Sequence, residues 1–192
     1  MFDSQADIAA VVYGPDDDPD DLLRAFAENL CGSGYRAVGL IQTSRKSAMS
    51  TRAQQALSTI ALPTGAPVSF RHSPGPSHTG CHLDARELAA AKARLAKAIA
   101  DGAHLVIINR FGKLEMAGQG FVAEIEQAIA ADIPVVIAVP QHLFMTWTRF
   151  CAGMGVKLAC AREPLEAWWW TVAPRPRGIA PGSGANFCEI AK

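Results

Sequence analysis

Short, nearly continuous apolar runs alternate along this chain with longer stretches whose apolar residues recur at helical spacing. The runs predict strands over residues 7–13, 35–42, 133–140 and 156–160, and in the first half of segment 104–115. Strands of this kind are typical of parallel sheets that are buried on both faces. The helical stretches begin at Pro19 and after Gly120, and cover residues 84–100, 142–150 and 164–172. This alternation predicts a single-domain α/β fold with a mostly parallel sheet, right-handed crossovers and helices on both faces.

Between the second strand and the second long helix, the pattern changes. Residues 43–55 are polar, mildly basic and without periodicity, which predicts a loop. Residues 57–62 and 68–72 flank a Pro-Thr-Gly-Ala-Pro turn, so they predict a small antiparallel hairpin inserted beside the sheet. Residues 73–81 then form a Gly/Pro/Ser-rich loop.

The first helix has a start signal of its own. Asp18 suits the N-cap, Pro19 fits the first helical position, and Asp21 completes a spacing like that of a capping box. The aspartate run over residues 16–21 has a second interpretation as a divalent-cation site. We prefer the interpretation as a capped helix start, because capping and the helix dipole already account for the acidic side chains.

Composition narrows the classes of function. The chain has 192 residues, of which 49% are hydrophobic, and its 18 basic and 18 acidic residues cancel. Zero net charge argues against partners that are nucleic acids or anionic membranes. No apolar run is long enough to span a membrane, and the first ten residues lack the pattern of a signal peptide, so we expect a cytoplasmic protein. The five cysteines contain no C-x-x-C pair and are expected to be thiols.

The domain boundary is expected near the end of the last helix. Residues 1–173 hold all the predicted elements and form the α/β domain. Residues 174–192 contain too few apolar side chains to fold, and they predict a flexible C-terminal tail.

The segment 104–115 organises the candidate chemistry. Its apolar first half predicts a central strand, and Asn109, Arg110, Lys113 and Glu115 follow where that strand ends. Open α/β sheets bind their ligands at the carboxyl ends of strands. Gln42 ends the neighbouring predicted strand, so these five residues form the leading candidate site.

Two interpretations of that site remain open. Arg110 offers a planar fork of donors, Lys113 a compact cation, and Asn109 and Gln42 amide hydrogens, a set that suits a small anion. The alternative is structural, with Arg110 and Glu115 paired and Lys113 in solvent.

A second candidate site lies around Cys81, His82 and Asp84. Together with His72 and His78, Cys81 and His82 offer four nitrogen and sulfur ligands for a zinc-like metal. The spacing differs from the common two-pair zinc motifs, and the alternative is that Cys81 packs beneath the helix 84–100. The sequence identifies no cofactor.

The order of elements resembles that of P-loop nucleoside triphosphatases of the thermophilic type. In those enzymes the first strand leads into G-x-x-x-x-G-K-[ST], and a later strand carries an acidic pair. Here Gly14 matches the first glycine, whereas Pro19, Asp20 and Asp21 stand at the second glycine, lysine and hydroxyl positions. Asn109 and Arg110 replace the acidic pair. The resemblance therefore implies a P-loop-like fold with a degenerate Walker A motif, on which NTP hydrolysis of the usual kind is not expected.

A closer resemblance covers nearly the whole predicted domain. It rests on residues 39–42, 80–84 and 109–113, on Glu115, Gly118 and residues 120–121, and on Trp147, Phe150 and Gly153. These look like an uncharacterised bacterial family that is often encoded beside molybdate-transport or nitrogen-fixation genes. His82 stands where that family usually has arginine. The resemblance suggests molybdate or tungstate as the anion and molybdenum metabolism as the setting.

Three classes of function follow. The leading one is a non-catalytic protein that binds a small oxyanion or has a regulatory role in metal-cofactor metabolism. The second is a nucleotide-processing enzyme with a non-classical site, or one that uses Cys81. The third is a partner-binding module that uses Trp168, Trp169 and Trp170 with the tail, since three consecutive tryptophans on a helix cannot all face one core. A homo-oligomer contact through this run fits the third class.

Overall fold

The computed structural model of the protein describes residues 7–43, 58–62, 66–69, 72–73, 82–83 and 85–174. Most of the loop predicted over residues 43–55 and the predicted tail from residue 175 lie outside these ranges. So do His78, Cys81 and Asp84 of the second candidate site.

Within the described ranges, seven strands form the main sheet. Five of them pair in parallel: β1 (Ile8–Tyr13), β2 (Ala37–Thr43), β7 (Leu105–Ile108), β8 (Val135–Pro140) and β9 (Val156–Ala159). The antiparallel strands β3 (Ser58–Leu62) and β4 (Ala66–Ser69) complete the order β4-β3-β2-β7-β8-β1-β9. The predicted parallel core and the strand at the β9 edge are confirmed.

The hairpin insertion is also confirmed. β3 pairs with β2 and β4 pairs with β3, so the hairpin widens the sheet on the β2 side. The second hairpin strand ends at Ser69, earlier than predicted. His72 belongs instead to β5 (His72–Ser73), which pairs with β6 (His82–Leu83) in a separate ribbon.

Helices cover both faces of the sheet, as predicted. One face carries α2 (Ala85–Ala100), α4 (Val122–Ala130) and α5 (Phe144–Phe150), and the other carries α1 (Pro19–Gly32) and α6 (Arg162–Val172). Successive strand residues point to opposite faces, so Val106 and Ile108 pack into the first core and Leu105 and Ile107 into the second.

The helix starts show where local sequence signals were sufficient to predict the first residue of a helix. The Asp18 side chain accepts a hydrogen bond from the Asp21 amide at 3.1 Å, which confirms the predicted N-cap. α6 begins at Arg162, two residues before the predicted start at Pro164. α3 (Lys113–Met116) was not predicted, because a single turn is too short to show helical periodicity.

The three consecutive tryptophans divide between core and solvent. Trp168 and Trp169 are buried in the core beneath α1 and α6, whereas Trp170 is 62% exposed. The prediction that at least one of them lies outside the core is confirmed. Across the ranges that the structure covers, no helix has the length and apolarity to cross a bilayer.

The packing of Trp147 requires a glycine at position 155. Its indole is 1% exposed, and a Cβ added at Gly155 would overlap its six-membered ring. Gly155→Ala should therefore lower the free energy of unfolding by about 1–3 kcal/mol, the usual cost of overpacking. Gly32→Ala is the matched control, because a Cβ at this helical position would meet no atom within 4 Å. Equal denaturation midpoints for the two variants would contradict this packing.

Candidate functional site

The candidate site lies at the carboxyl edge of the parallel strands, between β1 and β8. These neighbouring strands lead to helices on opposite faces, since β1 continues into α1 and β8 into α5. Such a switch point opens a crevice at the carboxyl edge of an α/β sheet. Gly14 follows β1 here and Gln141 follows β8, with the Gln141 Oε1 atom 3.7 Å from the position of a Cβ on Gly14.

Arg110 joins the end of β7 to the start of α1. Its Nη2 atom donates to Oδ2 of Asp20 at 3.0 Å, and the Asp20 side chain is only 5% exposed. The guanidinium carbon also lies 5.7 Å from the centroid of the Tyr13 ring. The structural alternative in which Arg110 pairs with Glu115 is wrong, because the carboxylate partner of Arg110 is Asp20.

Glu115 has a different environment. Its buried carboxylate accepts hydrogen bonds from the amides of Gly112 at 3.0 Å and Phe121 at 3.3 Å. Gly120 has a φ of +57°, and a Cβ there would overlap Oε1 of Glu115. One carboxylate oxygen therefore holds Gly112 at the start of α3 and the other holds Phe121 in the loop that leaves it, which gives Glu115 a positioning role beside the site.

Aspartates occupy the turn after β1. The Gly14 amide donates to Oδ2 of Asp17 at 2.7 Å, and the neighbouring Asp18 caps α1. The Gly14 and Asp21 amides are thus both satisfied by carboxylates of the chain itself. Sequence reasoning attributed the aspartate run to capping, and it did not anticipate the bond between Asp17 and Gly14.

Electrostatic effects link this turn to the end of β9. Burial, and after it the negative charges of Asp17 and Asp18, raise the pKa of the Cys160 thiol to about 11. Burial also raises the pKa of Tyr13; Arg110 opposes that effect, while Asp20 adds to it. Tyr13 and Cys160 also belong to this edge, but no sequence motif marked them, because their contacts join separate strand ends. Asp20 was marked only as part of the aspartate run, and its partner Arg110 was not anticipated.

The remaining residues of the leading candidate site lie on neighbouring elements. Asn109 is buried directly after β7, and Lys113 is exposed at the first position of α3. Gln42 lies in β2 opposite Thr59 of β3.

The second candidate site is only partly within the described chain. In the separate ribbon, His72 lies opposite Leu83, and His82 lies opposite Ser73. The proposed metal set also needs His78 and Cys81, which lie outside the described ranges. Elsewhere in the described chain, His, Cys, Asp and Glu form no group of three or more suited to a metal ion.

Comparisons with known proteins identify a family and a fold. The sequence profile of a family described as "Protein of unknown function (DUF2478)" matches residues 8–168. A solution structure described as that of a human cancer-related nucleoside triphosphatase aligns with a TM-score of 0.56. The alignment covers 81% of this chain and 89% of that one at 14% identity, so it shows the P-loop NTPase-like fold alone.

A curated relative matches at higher sequence identity. A Bradyrhizobium diazoefficiens protein named "Molybdenum import ATP-binding protein ModC 2" is 40% identical over 168 residues. The match covers 88% of this chain and 18% of the relative, so the chain spans less than a fifth of that protein's length.

Glu115→Gln tests how the segments before and after α3 are held together. A glutamine side chain keeps the shape, but its amide nitrogen would face one of two backbone N–H donors. The free energy of unfolding should fall by about 1–3 kcal/mol, the cost of one unsatisfied buried donor. Glu126→Gln on the exposed side of α4 is the control and should have little effect. Urea unfolding measures both, and an unchanged midpoint for Glu115→Gln would refute this role.

Cys160 provides a pH-dependent test of the acidic turn. Because its pKa is about 11, alkylation by iodoacetamide should keep accelerating well above pH 9, whereas a small free thiol levels off near its own pKa of about 8.5. The double substitution Asp17→Asn and Asp18→Asn removes two negative charges and should move the midpoint to lower pH. Peptide mass spectrometry measures the rate at Cys160. The same midpoint in both proteins would mean that the acidic turn does not act on this thiol.

Proposed function

The chain belongs to the DUF2478 family, and we propose that it is a non-catalytic binding or regulatory protein of molybdenum metabolism. On this proposal it holds a small oxyanion such as molybdate or tungstate at the carboxyl edge of the sheet. Arg110 is the central residue, with Asn109 and Lys113 beside it in sequence.

The bond between the Gly14 amide and Asp17 carries the non-catalytic part of the proposal. A phosphate-binding loop works because its backbone N–H groups converge on polyphosphate, helped by a lysine and a magnesium ion. Here the amide of the first loop glycine donates to a carboxylate of the same turn at 2.7 Å. A triphosphate at this place would meet the negative charges of Asp17, Asp18 and Asp20, which disfavours nucleotide binding.

The environment of Arg110 supports an anion smaller than a nucleotide. A guanidinium carries five N–H donors in a planar fork, and 44% of the Arg110 side chain is exposed beside its bond to Asp20. Charge-assisted bonds from such a fork are about twice as strong as neutral ones. A compact tetrahedral oxyanion would fit against the exposed N–H groups of the Arg110 guanidinium, while Asp20 fixes the orientation of that guanidinium.

The name of the curated relative supports molybdenum as the metal. That protein is named for molybdenum import and for ATP binding, and this chain matches 18% of its length. On our proposal, the matched part contributes anion recognition or regulation, and ATP binding belongs to the remainder. The competing function is a nucleotide-processing enzyme, which predicts ATP turnover by this chain.

Calorimetry with molybdate, tungstate, sulfate, phosphate and ATP tests the proposal. Arg110→Lys keeps a positive charge for Asp20 but removes the planar fork, so molybdate affinity should fall about tenfold, equivalent to one charge-assisted bond. Arg149→Lys is the control, since Arg149 is exposed on α5, and its affinity should be unchanged. A phosphate-release assay with ATP is run on the same protein.

Two results would overturn the proposal. The wild-type protein could bind none of the oxyanions, which would remove the ligand. Alternatively, it could release phosphate from ATP at a rate that scales with protein concentration, which would favour the enzyme. Thermal unfolding of Arg110→Lys verifies that any loss of affinity occurs in a folded protein.

A further inference from the structure

A groove between α1 and α6 lies on the face of the sheet opposite α5. It encloses about 220 Å³. Apolar groups form most of its lining and polar groups its rim, and the residues involved are Leu22, Ala25, Phe26, Asn29, Arg162, Leu165 and Glu166. Nothing in the proposed oxyanion site uses this groove.

The polar rim is already organised. Arg162 donates through Nε to Oε1 of Glu166 at 2.7 Å, and Asn29 donates to the same oxygen at 3.4 Å. The Glu166 charge is therefore compensated within one chain. An apolar or aromatic group could enter between these helices without leaving an uncompensated carboxylate at the rim.

Trp170 is an exposed aromatic residue on the same helix as this groove. Arg162, Glu166 and Trp170 are spaced by four residues and so follow one ridge of α6, about 12 Å long. The Trp170 ring is held by an edge contact with Tyr35 at 6.2 Å between centroids, yet the residue stays 62% exposed. Tryptophan is among the residues enriched at the energetic centres of interfaces, so an oriented, exposed tryptophan suits an interface anchor.

The size of the groove limits its occupant. Sites for drug-sized molecules enclose about 300–1,000 Å³, so about 220 Å³ suits a single large side chain better than a cofactor. The groove and the exposed Trp170 belong to the same helical ridge. A two-fold axis between two antiparallel α6 helices would therefore bring each tryptophan to the other copy's groove.

We propose that the face formed by α1 and α6 is an interface for a second copy of this chain, in which Trp170 of each copy enters the groove of the other. Arg162, whose side chain is 72% exposed, then lies beside the incoming indole and contributes a cation–π contact. The groove thus offers an apolar floor and a cationic rim, and both are complementary to the indole ring of Trp170 from the other copy.

The dimer should be weak and dependent on concentration. An aromatic side chain buries about 150–250 Å², and two of them supply only part of the roughly 1,200–2,000 Å² that is usual for a stable complex. This interface shares no residue with the proposed oxyanion site, so its failure and that of the proposed function are separate results.

Sedimentation of the full chain over about 1 µM to 1 mM tests the interface, since weak complexes dissociate within this range. The wild type should shift from the 20.4 kDa mass of one chain to twice that value. Trp170→Ala should stay monomeric throughout. Met145→Ala is the matched control, because Met145 is 64% exposed on α5 at the opposite face, and it should dimerise like the wild type.

A second variant tests the other half of the contact. Ala25 is an exposed groove residue on α1, so Ala25→Arg should obstruct the groove and leave the monomer folded. Mixing Trp170→Ala with Ala25→Arg should partly restore dimers, because the mixed pair keeps one intact tryptophan and one open groove. Circular dichroism verifies the fold of each variant.

The outcomes are decisive in both directions. A wild type that remains monomeric up to about 1 mM would overturn the proposal, as would dimers that persist in both Trp170→Ala and Ala25→Arg. Mixed dimers at the level of the separate variants would overturn the two-fold arrangement. Loss in each variant, with partial recovery on mixing, is the result that the geometry predicts.

Discussion

The ion pair between Arg110 and Asp20 is the constraint on which the carboxyl edge of this sheet depends. Asp20 lies in the first turn of α1 with 5% of its side chain exposed, and burying a carboxylate is costly unless a charged partner compensates it. Arg110 supplies that partner from the end of β7. The pair therefore fixes α1, the strand ends and the Tyr13 ring relative to one another, and the turn after β1 is built on this frame.

The sheet separates two kinds of chemistry. Its carboxyl edge gathers polar and charged groups that follow β1, β7 and β9, while both faces are apolar and each includes aromatic residues. The face under α1 and α6 holds a cluster of edge-to-face rings. Trp169 makes edge contacts there with Phe26 and Tyr35, with centroids 6.4 and 5.1 Å apart. Alternate residues of each strand enter different cores, so a substitution in a strand directly changes the packing of one core only.

The parts of the fold that sequence predicted are those set by local patterns. Continuous apolar runs identified the parallel strands, a turn rich in Pro and Gly identified the hairpin, and Asp18 with Pro19 identified the start of α1. The partner of Arg110 could not be found in this way, because Asp20 lies 90 residues away and reaches it only through the sheet order. One alternative wrongly paired Glu115 with Arg110, since spacing alone does not reveal that backbone amides hold a carboxylate.

The location of the edge could be predicted from the rule that ligands bind at the carboxyl ends of parallel strands. Gln141 and Cys160 join this edge only when β8 and β9 are aligned beside β1.

The bond between Asp17 and the Gly14 amide means that any anion binding to this amide would compete with a carboxylate of the same turn. An external anion would have to displace a carboxylate that is attached three residues away and is always present at high effective concentration. A weakly binding anion that gains no other contact would be disfavoured by this intramolecular competition. The turn would thus disfavour weakly binding anions by competition, without any steric gate.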